Sequence, residues 1–313
     1  MNLIKPKSLK LGDTIGILAL SNAVESKDKE NILRAREYFE TKGYNVVFSE
    51  NIFDEYRYLA GTDEIKVQEL HNFFKDPNIN MILCARGGYG SIRLLDKIDF
   101  DLIKNNPKIF AGYSDLTAIE AMIYKKNGLI TFYAPMAQGD FGVDNVSKIV
   151  EASFFDVLTN TEKDLKITPD VEKTKTYFEG EAQGTLWGGN LMTLASLCGL
   201  DFIPDEKFIL FLEDLNEPVY KIDRMMTQLL NIQKFKDNLA GIVLGDFLDI
   251  EKESSGQEYF DELFFEIGEK LQKPILSGFK ITHDTDKITV PYGAQAELST
   301  KEMSLKIKAG YLV

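Results

Sequence analysis

From Asp13 to Phe132, short apolar runs alternate with amphipathic stretches, and that alternation constrains the fold more than any other feature of the chain. The runs Asp13 to Leu20, Asn45 to Phe48, Asn80 to Cys84, Lys108 to Gly112 and Leu129 to Phe132 read as strands. Helices are expected over Lys27 to Lys42, over Thr62 to Phe74, through Leu94 and Leu95, and onward from Asp115. Strands that are apolar along their whole length and separated by helices belong to a parallel sheet covered on both faces. Such sheets take ligands beyond the carboxyl ends of their strands. Two turns fall at that end: Arg86-Gly87-Gly88-Tyr89-Gly90-Ser91, and Gly112-Tyr113-Ser114-Asp115.

At 313 residues the chain is long for one core, which points to two domains. The expected division is an N-terminal domain over 1–158, a charged linker over 159–175 and a C-terminal domain over 176–313. The second domain begins with a glycine-rich stretch, Gly180 to Asn190, that carries the only tryptophan, Trp187, and leads into a buried helix over Leu191 to Leu200. A strand, Lys207 to Leu212, runs into Glu213-Asp214-Leu215-Asn216-Glu217-Pro218. After Pro218, Tyr220, Ile222, Met225, Met226, Leu229 and Leu230 recur at helical spacing. Gly241 to Gly245 reads as a strand, Tyr259 to Leu271 as a helix, and the segments around His283 as strand-like.

A net charge of −13 argues against a nucleic-acid binder, which needs a basic surface to displace counterions. The N-terminal residues lack the apolar core of a signal peptide and no run reaches the length of a membrane span, so the protein is expected in the cytoplasm, away from membranes. Cys84 and Cys198 stand far apart without ligand-spaced neighbours, so neither a disulfide framework nor a zinc site is expected. With only His71 and His283 in the chain, a histidine base has few candidates. His71 falls inside a helix among charged neighbours, whereas His283 lies in a polar connection between strands, where functional groups are more often mounted.

Ser114, at a strand-to-helix turn, is placed to act as a nucleophile beside the first N–H groups of the helix; a Ser or Asp before an apolar helix is also the commonest helix-cap signal. Glu213 to Glu217 leave an apolar strand where a carboxylate that orients an imidazole would be mounted, and they also read as a solvated turn. The glycines of the Arg86 to Gly90 turn allow the close backbone approach that an oxyanion site needs.

Taken together, Ala85 to Gly90, Gly112 to Thr117, Gly184 to Leu191, Leu212 to Glu217 with Tyr220 and Asp223-Arg224, and His283 before Pro291-Tyr292-Gly293 resemble the serine LD-carboxypeptidases, or muramoyltetrapeptide carboxypeptidases, a family that includes microcin C immunity hydrolases. The resemblance covers nearly the whole chain. It implies an α/β fold with an N-terminal flavodoxin-like parallel sheet and a smaller C-terminal domain of the swivelling β/α type. It also implies a triad of Ser114, His283 and a glutamate whose motif matches best at Glu217, with Glu213 the other register. The backbone N–H groups of Gly88 and Asp115 would form the oxyanion hole, and Arg86, Tyr89, Trp187 and Asn190 would contact substrate. The implied substrate is a cytoplasmic murein tetrapeptide cut between meso-diaminopimelate and terminal D-alanine, by a homodimer without metal or cofactor. A microcin-type amidohydrolase and a non-catalytic two-domain binding protein are the alternatives.

Overall fold

The computed structural model describes residues 2–250 and 256–313. Contact within the chain divides them into two compact units, one over Asn2–Thr161 with Ile288–Pro291 and Gly310–Val313, the other over Glu162–Lys287 with Tyr292–Ala309. The chain thus returns twice to the N-terminal unit, which the expected boundary at 158 did not anticipate. Nor does 159–175 form a linker: within it lies a strand, Leu165–Ile167, that pairs into the second unit, an arrangement its charged composition conceals because that strand sits at a sheet edge.

In the N-terminal unit, strands β1 (Thr14–Leu18), β2 (Asn45–Phe48), β3 (Met81–Cys84), β4 (Ile109–Gly112) and β5 (Thr131–Tyr133) pair in parallel in the order β2-β1-β3-β4-β5. That is the flavodoxin-like order, whose direction of winding reverses between β1 and β3. Helices α1 (Lys29–Thr41), α2 (Asp63–Lys75), α3 (Phe100–Asn105), α4 (Thr117–Asn127) and α5 (Lys148–Thr159) connect and cover it. β3 and β4 are buried at every position, as their uninterrupted apolar composition requires. Where one helix was expected through Leu94 and Leu95, a 3-10 turn over Ser91–Leu94 precedes α3, because Asp99 caps a new helix by accepting from the Leu102 N–H at 2.9 Å.

The second unit is built from β6 (Leu165–Ile167), β7 (Thr176–Phe178), β8 (Glu181–Asn190), α6 (Leu191–Ala195), β9 (Phe208–Leu215), α7 (Val219–Leu230), α8 (Gln233–Asn238), β10 (Leu239–Leu248), α9 (Gly256–Leu271) and β11 (Ile275–Leu276). After β12 (Val290–Tyr292), which extends the first sheet, β13 (Gln295–Ser299) and β14 (Ser304–Ile307) complete the second, ordered β6-β14-β13-β8-β9-β10-β11-β7. Its centre, β8 to β11, is parallel and its wings are antiparallel. The helix expected over Leu191 to Leu200 is shorter than its apolar length suggests, ending at Ala195 with the chain turning toward Gly199 at φ 109°.

Candidate active site

β4 ends at Gly112 and the chain turns through Tyr113 into Ser114, whose φ is 63°. A residue with a Cβ adopts that region only when its surroundings impose it, at roughly 1–3 kcal/mol. Part of the constraint is the hydroxyl of Tyr133, which accepts the Ser114 N–H at 3.1 Å; Tyr133 ends β5 opposite Gly112 in register. Ser114 opens a 3-10 turn, Ser114–Leu116, that runs into α4. The cap positions of the turn and of α4 belong to Tyr113 and Leu116, and neither caps with its side chain.

Three loops at the carboxyl ends of β1, β3 and β4 lock together around this turn. Buried Asp115 accepts from the Ser21 hydroxyl at 2.5 Å and from the Ser91 N–H at 2.8 Å, while the Ser91 hydroxyl donates to the Asp115 carbonyl. Asn22 Oδ1 accepts from the Tyr89 N–H at 3.0 Å. Gly88 stands at φ 120°, and a Cβ there would fall 2.5 Å from Asn22 Cγ, so conformation and space both require glycine. At Gly87 a Cβ would lie 3.3 Å from Ser114 Oγ, so the missing side chain leaves the hydroxyl its room. Arg86 Nη1 donates to the Ala23 carbonyl at 3.0 Å and fastens the β3 loop to the β1 loop. Tyr89 is 45% exposed.

In the second unit, β9 is apolar until Glu213 and Asp214, both buried at its carboxyl end. The segment after β11 is stitched along β10, with the Phe279 N–H donating to Leu244 and the Asp246 N–H to Ile281. It delivers His283, whose Nδ1 lies 2.5 Å from Glu213 Oε2. Burial pulls the imidazole pKa down, but the hydrogen bond and charge of Glu213 outweigh it, and the pKa stands above its ordinary value. With the Nδ1 proton committed to Glu213, the neutral ring carries its lone pair on Nε2.

Glu217 is not the partner of His283. It lies beyond Asn216, where the chain reverses at φ 61°, and pairs with Lys221 one turn along α7 at 3.0 Å. The register of the glutamate motif is thus decided by where β9 ends. Trp187 is no pocket wall either: it is buried in its own unit against Phe202, Phe208 and Phe235. Asn190 is buried and holds the neighbouring acids, donating to Asp214 Oδ1 at 2.9 Å and Glu213 Oε1 at 3.3 Å. Cys84 is buried and its thiol pKa is pushed well up by burial, the wrong direction for a nucleophile. His71 accepts the Asp99 N–H at 2.9 Å at the start of α3. Sequence reasoning missed Tyr133, Ser21 and Asn22; the available signal was position, since each lies at or just beyond the carboxyl end of a strand.

Among the described residues no three His, Cys, Asp or Glu side chains group as metal ligands, and no helix is long and apolar enough to cross a membrane. Residues 15–134 match the family described as LD-carboxypeptidase N-terminal domain, and residues 183–298 match its C-terminal counterpart. A probable murein peptide carboxypeptidase of Bacillus subtilis is 36% identical over 98% of this chain and 95% of its own. The microcin C7 self-immunity protein MccF of Escherichia coli is 29% identical over 97% of this chain and 95% of its own. A wild-type apo structure of MccF superposes with a TM-score of 0.89 at 28% identity, covering 99% of this chain and 100% of that one. The muramoyltetrapeptide carboxypeptidase of Oxalobacter formigenes gives 0.82 at 29% identity, covering 94% and 97%.

Proposed function

The chain belongs to the LD-carboxypeptidase family of serine-type peptidases, and from that premise we propose that it releases the terminal D-alanine of cytoplasmic murein tetrapeptides, a step of cell-wall recycling, with Ser114, His283 and Glu213 as the triad. The observation that carries this reading is the buried Glu213–His283 pair at 2.5 Å, which is the orienting half of such a triad. Ser114 Oγ attacks the carbonyl carbon of the scissile bond and His283 takes its proton. The N–H groups of Gly88 and Asp115 receive the developing oxyanion. Collapse of the tetrahedral intermediate breaks the C–N bond, His283 returns the proton to the amine of D-alanine, and water then hydrolyses the acyl-enzyme by the same route. Glu213 holds the imidazole in the working tautomer and balances its charge. Arg86 and Tyr89 stand beside the nucleophile turn, Tyr89 with its ring partly open to a peptide.

A second reading, hydrolysis of an aminoacyl or peptidyl nucleotide, is favoured by the higher structural similarity to MccF, 0.89 against 0.82. The higher identity to the murein peptide carboxypeptidase, 36% against 29%, favours the first. The test compares D-alanine release from murein tetrapeptide with hydrolysis of an aminoacyl sulfamoyl adenylate. The expected result is a larger kcat/KM for the tetrapeptide, with Ser114→Ala and His283→Ala each lowering its turnover by about 10⁴-fold or more. Preference for the adenylate transfers the assignment to the second reading. Full activity in either variant refutes both.

A further inference from the structure

A second buried acid adjoins the Glu213–His283 pair, and the mechanism does not use it. Asp214 follows Glu213 at the end of β9. Its Oδ2 accepts the Met192 N–H at 2.9 Å, and its Oδ1 accepts the Leu215 N–H at 2.8 Å and the Asn190 amide at 2.9 Å. The orientation of that amide is fixed by its other end: Asn190 Oδ1 accepts from the Thr193 N–H at 3.0 Å and from the Thr193 hydroxyl at 2.9 Å, so Nδ2 must face the acids. Asn190 and Glu213 are register partners on β8 and β9, which brings the same Nδ2 to Glu213 Oε1 at 3.3 Å. Oε2 of that carboxylate is the atom on His283.

We propose that Asp214 is a positioning residue, which through the Asn190 amide holds the Glu213 carboxylate in the rotation that presents Oε2 to His283, and whose charge favours the imidazolium formed during turnover. An unrestrained glutamate at a strand end would exchange its two oxygens and swing away. Here one oxygen is held by Asn190, and Asn190 is in turn held by Asp214 and the first turn of α6. The charged groups facing the imidazole within this unit are Glu213, Asp214 and Lys287, the acids raising its pKa and Lys287 lowering it. Burial lifts Asp214 itself to about 6, with the backbone and Asn190 donors opposing, so it is ionised above that pH.

The inference rests on the proposed triad, and the two are tested apart. The chain has two histidines, so a His71→Gln background leaves His283 as the one imidazole signal in a nitrogen-15 NMR titration that needs no substrate. The expected result is a His283 pKa lower by about half a unit or more in Asp214→Asn. With murein tetrapeptide, Asp214→Asn and Asn190→Ala are each expected to lose about 10-fold or more in kcat with KM within about twofold. The acid limb of the Asp214→Asn profile should move to lower pH, because a base freed of a neighbouring negative charge deprotonates sooner. An unmoved His283 titration with wild-type kcat in the folded variants overturns the proposal. So does failure of both variants to fold, which would make the cluster structural only. If the parent protein releases no D-alanine while the titration shifts as expected, the substrate assignment fails and the positioning role stands.

Discussion

Two glutamates four residues apart, Glu213 and Glu217, differ only in which side of a chain reversal they occupy. Before it, Glu213 is held by strand pairing inside the sheet; after it, Glu217 stands just ahead of α7 and pairs with Lys221 in its first turn. Glu213→Gln is expected to reduce kcat by about 10³–10⁴-fold, whereas Glu217→Gln should stay within a few-fold of the parent. The pH profile gives an independent reading. Glu213 raises the His283 pKa, and the proposed mechanism needs the neutral imidazole, so kcat/KM is expected to climb as pH rises through that pKa. Removing the carboxylate should carry the climb to lower pH. Equal losses in the two variants, measured as initial rates of D-alanine release from pH 5 to 9, would contradict the assignment.

At the scale of elements, three loops beyond β1, β3 and β4 are fastened by Asp115, Asn22 and Arg86 before any substrate arrives. Donors held in this way need not reorganise when charge develops, which is what makes an oxyanion site effective. Gly88→Ala would place a Cβ on Asn22 and force a non-glycine residue to φ 120°, so the loop must shift. Its expected effect is a fall of about 10²–10³-fold in kcat with little change in KM, checked by steady-state kinetics beside a melting curve; unchanged kcat would remove Gly88 from the oxyanion role. Helix α4 carries a different liability. Glu120 is fully buried one turn into it, and burial pushes its pKa well above the carboxylate range. A carboxyl whose folded pKa is raised is stabilising below its unfolded pKa, near 4.5, and loses that contribution as pH rises toward the folded pKa. Glu120→Gln should therefore gain in melting temperature relative to the parent as pH is raised from 5 to 8. A difference that stays constant with pH would show that Glu120 does not titrate in this way.

Over the whole molecule, the chain leaves the N-terminal unit at Thr161 and comes back to it at Ile288–Pro291 and Gly310–Val313. The final return is anchored: the Val313 N–H donates to Pro6, its carbonyl accepts the Ser8 N–H, and Tyr311 and Leu312 are buried. Removing Tyr311 to Val313 exposes what those two side chains cover, about 3–6 kcal/mol of burial, and should lower the melting temperature of that unit by on the order of 10 °C. Scanning calorimetry of the shortened chain checks this, and an unchanged transition would contradict it.

The sequence by itself determined the parallel sheet of the first unit, because strands apolar along their length and separated by helices have few other ways to bury both faces. It also brought Ser114, His283 and the Arg86 to Gly90 turn into view, since these residue types sit where strands end. It left the partner of His283, the places of Trp187 and Asn190, and the strand inside 159–175 undecided. Those depend on strand register and on which chain segments pack together, and contacts between residues distant in sequence leave no local mark. Only the tertiary structure fixes that Asn190 lies opposite Glu213, that Tyr133 reaches the Ser114 amide, and that the last four residues belong with the first.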